Sequence, residues 1–265
     1  MPANQARTWG DRPLGFAHRG ARTEERENTI VAFRRALDLG ARGLESDAWL
    51  TSDGVVVLDH DGVLGPIWRR RSIAATPRRD LPGHIPSLDD LYASCGSGFE
   101  LSLDVKDSRA LEGIVAAARE AGAATRLWLC SSDWRPMAAW RALVPEARLV
   151  ESTNLSSMLE GPRLRLAALR ESGIDAVNLH RSEWNAEVLR EVRAAGLLGL
   201  AWDVQSARRL SEVIALGIDA LYCDDVALMT RTIGDAEPAS PRGLKAADLR
   251  YGPDDDEGLT DDEVS

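Results

Sequence analysis

Short apolar segments alternate with amphipathic segments of helical length along almost the whole chain. The longer segments, such as TIVAFRRALDLG and AEVLREVRAAG, repeat apolar residues at intervals of three and four, and several end at glycine, as helix C-termini favour. The short segments are predicted to be β-strands. The predicted strands are Leu14–Ala17, Gly43–Trp49, Glu100–Val105, Arg126–Cys130, Arg148–Glu151, Ala176–Leu179, Leu198–Asp203 and Ala220–Cys223.

Eight strands that alternate with helices predict an α/β protein with a parallel sheet, and the number favours a closed TIM-type (β/α)₈ barrel over residues 9–235. A doubly wound open sheet is the alternative architecture. That fold would place a glycine-rich phosphate loop after the first strand, and the sequence there, HRGARTEE, is not such a loop.

The alternation is interrupted once, after the second predicted strand. Ser52-Asp53-Gly54 leads into a second apolar run, VVVLDH, and Asp-Gly between apolar runs indicates a hairpin. A Pro- and Arg-rich stretch follows. We therefore expect the second strand to fold back, and a short insertion, residues 61–98, to lie over one mouth of the barrel.

Composition narrows the class of protein. A chain of 265 residues with 44% hydrophobic content can form one barrel domain, and it has no apolar run of about 18 residues that would span a membrane. The N-terminus has no hydrophobic signal core, and three scattered cysteines suit neither a disulfide framework nor a metal motif. These features predict a cytoplasmic protein without stable membrane insertion.

The net charge of −10 argues against nucleic acid as a partner, since such binding needs a basic face. Much of the negative charge lies in residues 236–265, which we expect to form a disordered acidic tail. Thirty arginines accompany only two lysines, Lys106 and Lys245. Arg69-Arg70-Arg71, with Arg78-Arg79 and Trp68 nearby, could attract an anionic surface, but we favour a solvated basic loop because no amphipathic helix is evident.

Candidate catalytic residues follow several predicted strands, and in a barrel these ends meet at one mouth. Glu45 and Asp47 share one strand face, and so do Asp104 and Lys106 on the next strand. Carboxylates that point into the barrel without a partner would carry a high free-energy cost of burial, so a cation between them is expected. Carboxylate oxygens are ligands that suit Mg²⁺ or Ca²⁺. Later strands end with Ser131, Glu151, His180, Trp202, Asp203 and Asp224.

An isolated Glu-x-Asp is more often a solvated strand end or a salt-bridge partner than a metal ligand. Here the flanking residues are small or apolar, and a carboxylate–lysine pair lies on the neighbouring strand, so a metal site is favoured. His18 and His60 suit a general acid and a general base near neutral pH. Arg19 and Lys106 add positive charge for an anionic substrate, so the whole set indicates phosphoester cleavage.

Seven stretches of the chain, in order, resemble the glycerophosphodiester phosphodiesterase family within the phosphatidylinositol-phospholipase-C-like barrels. They are AHRG, ENTIVAF, GLESDAWLTSDGVVVLDHD, IPSLDDL, LSLDVK, LAWDV and GIDALYCDD, and they cover nearly the whole predicted barrel. The resemblance implies a TIM-type barrel that uses one divalent cation, Mg²⁺ or Ca²⁺, to hydrolyse small-molecule glycerophosphodiesters to glycerol 3-phosphate and an alcohol.

The resemblance also implies roles for individual residues. His18 and His60 would act as acid and base, and Trp202 would pack against the glycerol. Glu45, Asp47 and Asp104 would hold the metal, and Arg19 and Lys106 would contact the phosphate.

The chain departs from the family pattern in three places. Arg26 replaces the usual proline, Asp104 replaces a glutamate that is longer by one methylene, and Asp203 with Gln205 changes a motif that commonly reads W-T-V-N. Two alternatives therefore stay open: a lysophospholipase D-like or cyclic-phosphate-forming phosphodiesterase acting on lysophospholipids, and a non-catalytic barrel that binds phosphodiesters. The sequence leaves open the oligomeric state and the alcohol that is released.

Overall fold

A computed structural model describes residues 12–66 and 69–236 of the chain. Strands and helices alternate throughout this part, as predicted. The strands are β1 Leu14–Ala17, β2 Gly43–Leu50, β3 Val56–Leu58, β4 Val63–Leu64, β5 Arg71–Ser72, β6 Glu100–Val105, β7 Leu127–Ser131, β8 Arg148–Ser152, β9 Ala176–His180, β10 Leu198–Trp202 and β11 Ala220–Cys223. The α-helices are α1 Ile30–Asp38, α2 Leu88–Cys95, α3 Leu111–Glu120, α4 Trp134–Leu143, α5 Pro162–Glu171, α6 Ala186–Ala194, α7 Ala207–Leu216 and α8 Val226–Asp235. Short 3₁₀ turns occupy Ile73–Ala75, Arg78–Asp80, Ser108–Ala110, Ala124–Arg126, Leu155–Ser157 and Arg181–Glu183.

Eight parallel strands close into a barrel, which confirms the predicted fold class and rules out the open sheet. Around the ring the order is β1, β2, β6, β7, β8, β9, β10 and β11, and β11 pairs with β1 in the register Leu14↔Ala220 to Ala17↔Cys223. Each predicted barrel strand matches an observed one to within one residue at either end. The match is close because most of these strands are buried on both faces and read as short apolar runs.

The predicted hairpin after the second strand is present. β3 pairs antiparallel with the last residues of β2, from Ala48↔Leu58 to Leu50↔Val56. In the turn Gly54 has a φ of +82°, a conformation that glycine adopts without strain, and the Thr51 hydroxyl donates to the Asp53 carboxylate at 2.6 Å. This hairpin extends β2 beyond the barrel and carries the chain across its mouth.

The region after the hairpin differs from the expected insertion, 61–98, at its C-terminal end. β4 and β5 form a separate two-stranded sheet, but residues 88–95 form α2, which packs against α1 and α3 as one of the eight barrel helices. Ser87 and Asp90 start α2 with a reciprocal capping box. The stretch outside the strand–helix repeat therefore ends before Leu88, a boundary that the preceding Pro- and Gly-rich sequence obscured.

Two apolar layers position the functional end of the barrel. One fills the space between the strands and the helices, and the other fills the lower interior of the barrel. In the interior layer Phe16 stacks on Tyr222 with ring centroids 5.0 Å apart and meets Trp128 edge-on at 5.6 Å. These rings block the barrel from below, so the polar residues above them are open only at the carboxyl ends of the strands.

The predicted acidic tail, 236–265, lies outside the described residues except for Ala236. Within residues 12–66 and 69–236, no helix has the length and apolar character needed to cross a bilayer.

Candidate active site

A cavity of about 730 Å³ opens at the carboxyl ends of the barrel strands. The side chains that line it come from positions scattered along the chain, from the end of β1 to the residue after β11. All eight residues that the sequence predicts for the site lie in its wall: His18, Arg19, Glu45, Asp47, His60, Asp104, Lys106 and Trp202.

Two buried carboxylates project into the cavity from β2. Glu45 and Asp47 alternate with Ser46, whose hydroxyl points the other way and donates to Asn28 at 2.7 Å. The Glu45 carboxylate accepts the backbone N–H of Arg19 at 3.0 Å. Burial, together with the neighbouring Asp47 charge, raises the pKa of Glu45 to about 7. Near neutral pH this side chain is therefore only partly ionised.

The next strand places a carboxylate and an ammonium beside this pair. Lys106 Nζ lies 2.8 Å from Asp104 and 3.4 Å from Asp47. Burial lowers the pKa of Lys106, but the charges of Asp104 and Asp47 outweigh it, so the net shift is upward and the ammonium stays charged. Burial raises the pKa of Asp47 even though Lys106 and Arg19 favour its ionised form.

The predicted metal ligands share one wall of the cavity without forming a ligand cluster. Among the described residues, no group of three or more His, Cys, Asp or Glu is arranged to hold a metal ion. Lys106 lies against two of the three predicted carboxylates. One buried oxygen of Asp47 nevertheless has no hydrogen-bond partner, and Arg19 Nε approaches it only to 3.6 Å. An unpartnered carboxylate oxygen in a buried acidic pair is the donor type that Mg²⁺ and Ca²⁺ prefer.

His18 is held between carboxylates at the end of β1. Its Nδ1 lies 2.6 Å from Asp224, just after β11, and its Nε2 lies 3.8 Å from Glu45. Burial lowers the pKa of His18, but Glu45 and Asp224 more than compensate, so the pKa is raised. Asp224 in turn has a lowered pKa, because the His18 contact and nearby Arg22 outweigh its burial.

Arg19 is buried, with 6% of its surface exposed, and has a φ of +57°. This turn directs its N–H towards Glu45 and its guanidinium towards Asp47 and, at 3.3 Å, Glu27. Arg22, which belongs to no predicted site motif, lies 2.9 Å from Glu27 and 3.7 Å from Asp224. Two arginines of the β1–α1 loop therefore contribute positive charge to the cavity.

His60 lies on the loop after β3. Its Nδ1 contacts the exposed Asp61 at 2.8 Å, and the Asp59 carboxylate accepts the backbone N–H groups of Asp61 and Gly62, each at 3.1 Å. These local hydrogen bonds define the turn that brings the imidazole to the cavity wall. His18 and His60 thus reach the same cavity from different loops.

The wall opposite β6 is formed by β9 and β10, since β10 lies four strands from β6 in either direction around the ring. Trp202 is 43% exposed and packs edge-on against His180, with centroids 4.7 Å apart. Asp203 has a φ of +60° and contacts His180 Nε2 at 3.1 Å and Arg181 at 3.4 Å. An aromatic face with hydrogen-bonding groups beside it suits a small polyol.

Two strand-end acids have different environments. Asp224, near β11, contacts His18, whereas Glu151 on β8 points outwards and pairs with Arg165 of α5. The alternation of Val150 in the barrel interior with Glu151 on the outer face would have identified this orientation. The contact between Asp224 and His18, which are 206 positions apart, has no local sequence signal.

The fold and the cavity together define the class: a TIM-type (β/α)₈ barrel with a polar active-site cavity at the carboxyl ends of its strands. Comparisons with known proteins narrow this class further. The profile of the glycerophosphoryl diester phosphodiesterase family matches residues 18–91. The glycerophosphodiester phosphodiesterase of Caldanaerobacter subterraneus subsp. tengcongensis is 24% identical over 243 residues, which are 80% of this chain and 94% of that protein.

Solved structures show the same fold. The glycerophosphodiester phosphodiesterase of Thermotoga maritima has a TM-score of 0.70 and 20% identity, covering 83% of this chain and 97% of that one. An Oleispira antarctica phosphodiesterase in complex with the product sn-glycerol-3-phosphate has a TM-score of 0.71 and 21% identity, covering 84% and 98%. The chain is therefore similar in sequence to glycerophosphoryl diester phosphodiesterases and shares the fold of those with solved structures.

Proposed function

We propose that the protein hydrolyses glycerophosphodiesters to glycerol 3-phosphate and an alcohol with the help of one divalent cation, Mg²⁺ or Ca²⁺. The observation that carries this proposal is the convergence of two histidines, five carboxylates and three cationic side chains on one cavity. The relatives named for this activity and the product in the Oleispira antarctica structure support the choice of substrate.

Glu45, Asp47 and Asp104 would hold the cation. The unpartnered Asp47 oxygen and the raised pKa of Glu45 support this, because both indicate carboxylates that lack sufficient positive charge. When bound, the ion would supply Lewis-acid stabilisation of negative charge on the phosphate. It would also compete with Lys106 for Asp47 and Asp104.

Arg19 and Lys106 would bind the phosphate oxygens, with the guanidinium fork of Arg19 matching two of them. Lys106 directly follows β6 and Arg19 lies in the loop after β1, so the two cations would hold the phosphate over β2, which lies between these strands. Trp202, across the cavity, would pack against the glycerol carbons. This places the phosphorus within the ring of polar side chains and the polyol on the more exposed wall.

His18 and His60 would transfer the two protons of the reaction. Hydrolysis adds water across the P–O bond: the attacking oxygen gives up one proton, and the departing alkoxide takes one. Because Asp224 engages His18 Nδ1, Nε2 is the nitrogen left facing the cavity beside Glu45. Asp224 therefore acts as a positioning residue that fixes which nitrogen of His18 can exchange a proton with substrate.

The direct test is His18→Ala, assayed with a glycerophosphodiester in the presence of Mg²⁺ or Ca²⁺. Loss of an acid–base group is expected to lower kcat by about 10²–10⁴-fold. His84→Ala is the matched control, because His84 lies in the loop before α2 and does not line the cavity. Activity of His18→Ala within about tenfold of wild type would contradict the proposal.

The product identifies the reaction type. Phosphorus NMR should show glycerol phosphate from the first turnover, whereas a cyclic phosphate would indicate attack by the substrate's own hydroxyl. A panel that pairs each glycerophosphodiester with its lysophospholipid counterpart separates the two substrate classes.

A further inference from the structure

The hairpin formed by β4 and β5 carries three consecutive arginines, Arg69, Arg70 and Arg71. All three are exposed, and their side chains make no hydrogen bond or ion pair with any residue in the described ranges 12–66 and 69–236. Several other exposed arginines do have an acidic partner, such as Arg163 with Glu191 at 2.9 Å. The positive charge of the hairpin is therefore not neutralised within the described part of the fold.

The charge of this region has the opposite sign to that of the chain. Residues 61–87 hold five arginines and two aspartates, in a protein with a net charge of −10. The rest of the chain is acidic overall and should therefore repel an anionic partner, while this segment attracts one. Such segregation favours a defined orientation towards an anionic partner over uniform adhesion to it.

The hairpin stands at the rim of the active-site cavity. It begins three residues after His60, which lines the cavity, and its base is held by a hydrogen bond from the Ile73 N–H to the Gly62 carbonyl at 2.8 Å. Gly62 lies against the ring of Trp49, so closely that a Cβ there would be 2.4 Å from the ring. The base of the hairpin is thus fixed to the end of β2, beside the mouth of the barrel.

The sequence alone favours a solvated basic loop, but the position of these exposed arginines beside the cavity changes that interpretation. We propose that Arg69, Arg70 and Arg71 bind an anionic lipid surface and turn the mouth of the barrel towards it. Guanidinium groups bind phosphate oxygens in pairs, and each basic residue near an anionic bilayer strengthens partitioning by roughly fivefold. Three arginines together should contribute about 100-fold. The contact would be peripheral and would not depend on turnover, so this proposal goes beyond the proposed hydrolysis.

A bilayer suits this patch better than a nucleic acid does. A nucleic acid requires an extended basic face, whereas a plane of headgroups can be reached by one short exposed hairpin. At about 0.1 M salt, charges more than about 10 Å from the bilayer are screened. The attraction between the bilayer and the nearby arginines would then exceed the repulsion between the bilayer and the acidic residues on distant parts of the barrel.

The test is co-sedimentation of the full chain with vesicles of phosphatidylcholine alone or with 30% phosphatidylglycerol, at about 0.1 M salt and without substrate. The variant is Arg69→Ala/Arg70→Ala/Arg71→Ala, and its thermal unfolding is compared with that of wild type to confirm the fold. The matched control is Arg163→Ala/Arg190→Ala/Arg208→Ala. It removes the same charge from exposed positions on α5, α6 and α7.

We expect binding to the anionic vesicles only, weakened by roughly 100-fold in the hairpin variant and by less than about threefold in the control. Equal binding by both triple variants, or no binding by wild type, would overturn the proposal. So would a single-stranded oligonucleotide that displaces the protein from vesicles at matched phosphate concentration. Because no step requires catalysis, this experiment and the His18 assay can fail independently.

Discussion

The contact between His18 and Asp224 allows a sharp test of how the site works. Replacing Asp224 with Asn removes the charge of the carboxylate that lies 2.6 Å from His18 Nδ1, and keeps nearly the same shape. Hydrogen bonds to charged groups are worth about 1.5–3 kcal/mol. If that interaction holds the imidazole in its reactive orientation, kcat should fall by about 10- to 150-fold.

The pH profile gives a second readout. Asp224 and Glu45 raise the pKa of His18 against the effect of burial, so removing the Asp224 charge lowers that pKa. The protonated imidazole is then lost at lower pH. In a plot of kcat/KM against pH, the limb that reports His18 should move towards acid.

A matched variant separates this effect from a general loss of charge. Asp61→Asn removes the carboxylate that lies 2.8 Å from His60 Nδ1, but Asp61 is 70% exposed. An exposed ion pair is worth about 0–1 kcal/mol, so kcat should change by less than about fivefold. Steady-state kinetics and thermal unfolding of both variants would check this. Equal kcat values for the two, or an unmoved His18 limb, would refute the positioning role of Asp224.

Two further predictions concern buried charge. Arg165→Ala should destabilise the protein by about 3–5 kcal/mol in denaturant unfolding, because it leaves the fully buried Glu151 without its cation. Activity per folded molecule should persist, and a loss below about 1 kcal/mol would contradict this account. Because the pKa of Glu45 is about 7, a divalent cation must displace its proton below that pH. Calorimetric affinity for Mg²⁺ should therefore weaken by up to tenfold for each pH unit below 7, and an affinity independent of pH would argue against Glu45 as a ligand.

Most of the barrel could be predicted from sequence because its strands are buried on both faces and its helices are amphipathic. The same logic brought Glu45 and Asp47 to one cavity, since residues two apart on a strand share a face. The hydrophobic pattern is less informative where the chain departs from the strand–helix alternation. The start of α2 at Leu88 follows a Pro- and Gly-rich segment, and its capping box, Ser87 with Asp90, is a short signal that the expected insertion boundary overlooked.

Contacts between distant residues could not be predicted in this way. The pairing of Asp224 with His18 depends on β11 closing against β1, and Lys106 reaches Asp47 only because β6 lies beside β2. Orientation about one strand is recoverable from alternation, as Glu151 shows, but which side chains meet across the cavity depends on strand register and barrel geometry. The sequence indicates the chemical groups, and tertiary structure determines their partners.

The barrel combines buried carboxylates at the carboxyl ends of its strands with apolar packing in the interior below them. Two neighbouring buried carboxylates, Glu45 and Asp47, have raised pKa values, so their ionised forms are unfavourable where they lie. The interior below them is closed by Phe16, Trp128 and Tyr222, large rings whose burial stabilises the fold independently of the site. Apolar packing at one end of the barrel thus offsets the cost of acids at the other. A cation that binds beside these acids should reduce the free-energy cost of their ionised forms. The same acids that destabilise the free protein would therefore favour binding of a divalent ion.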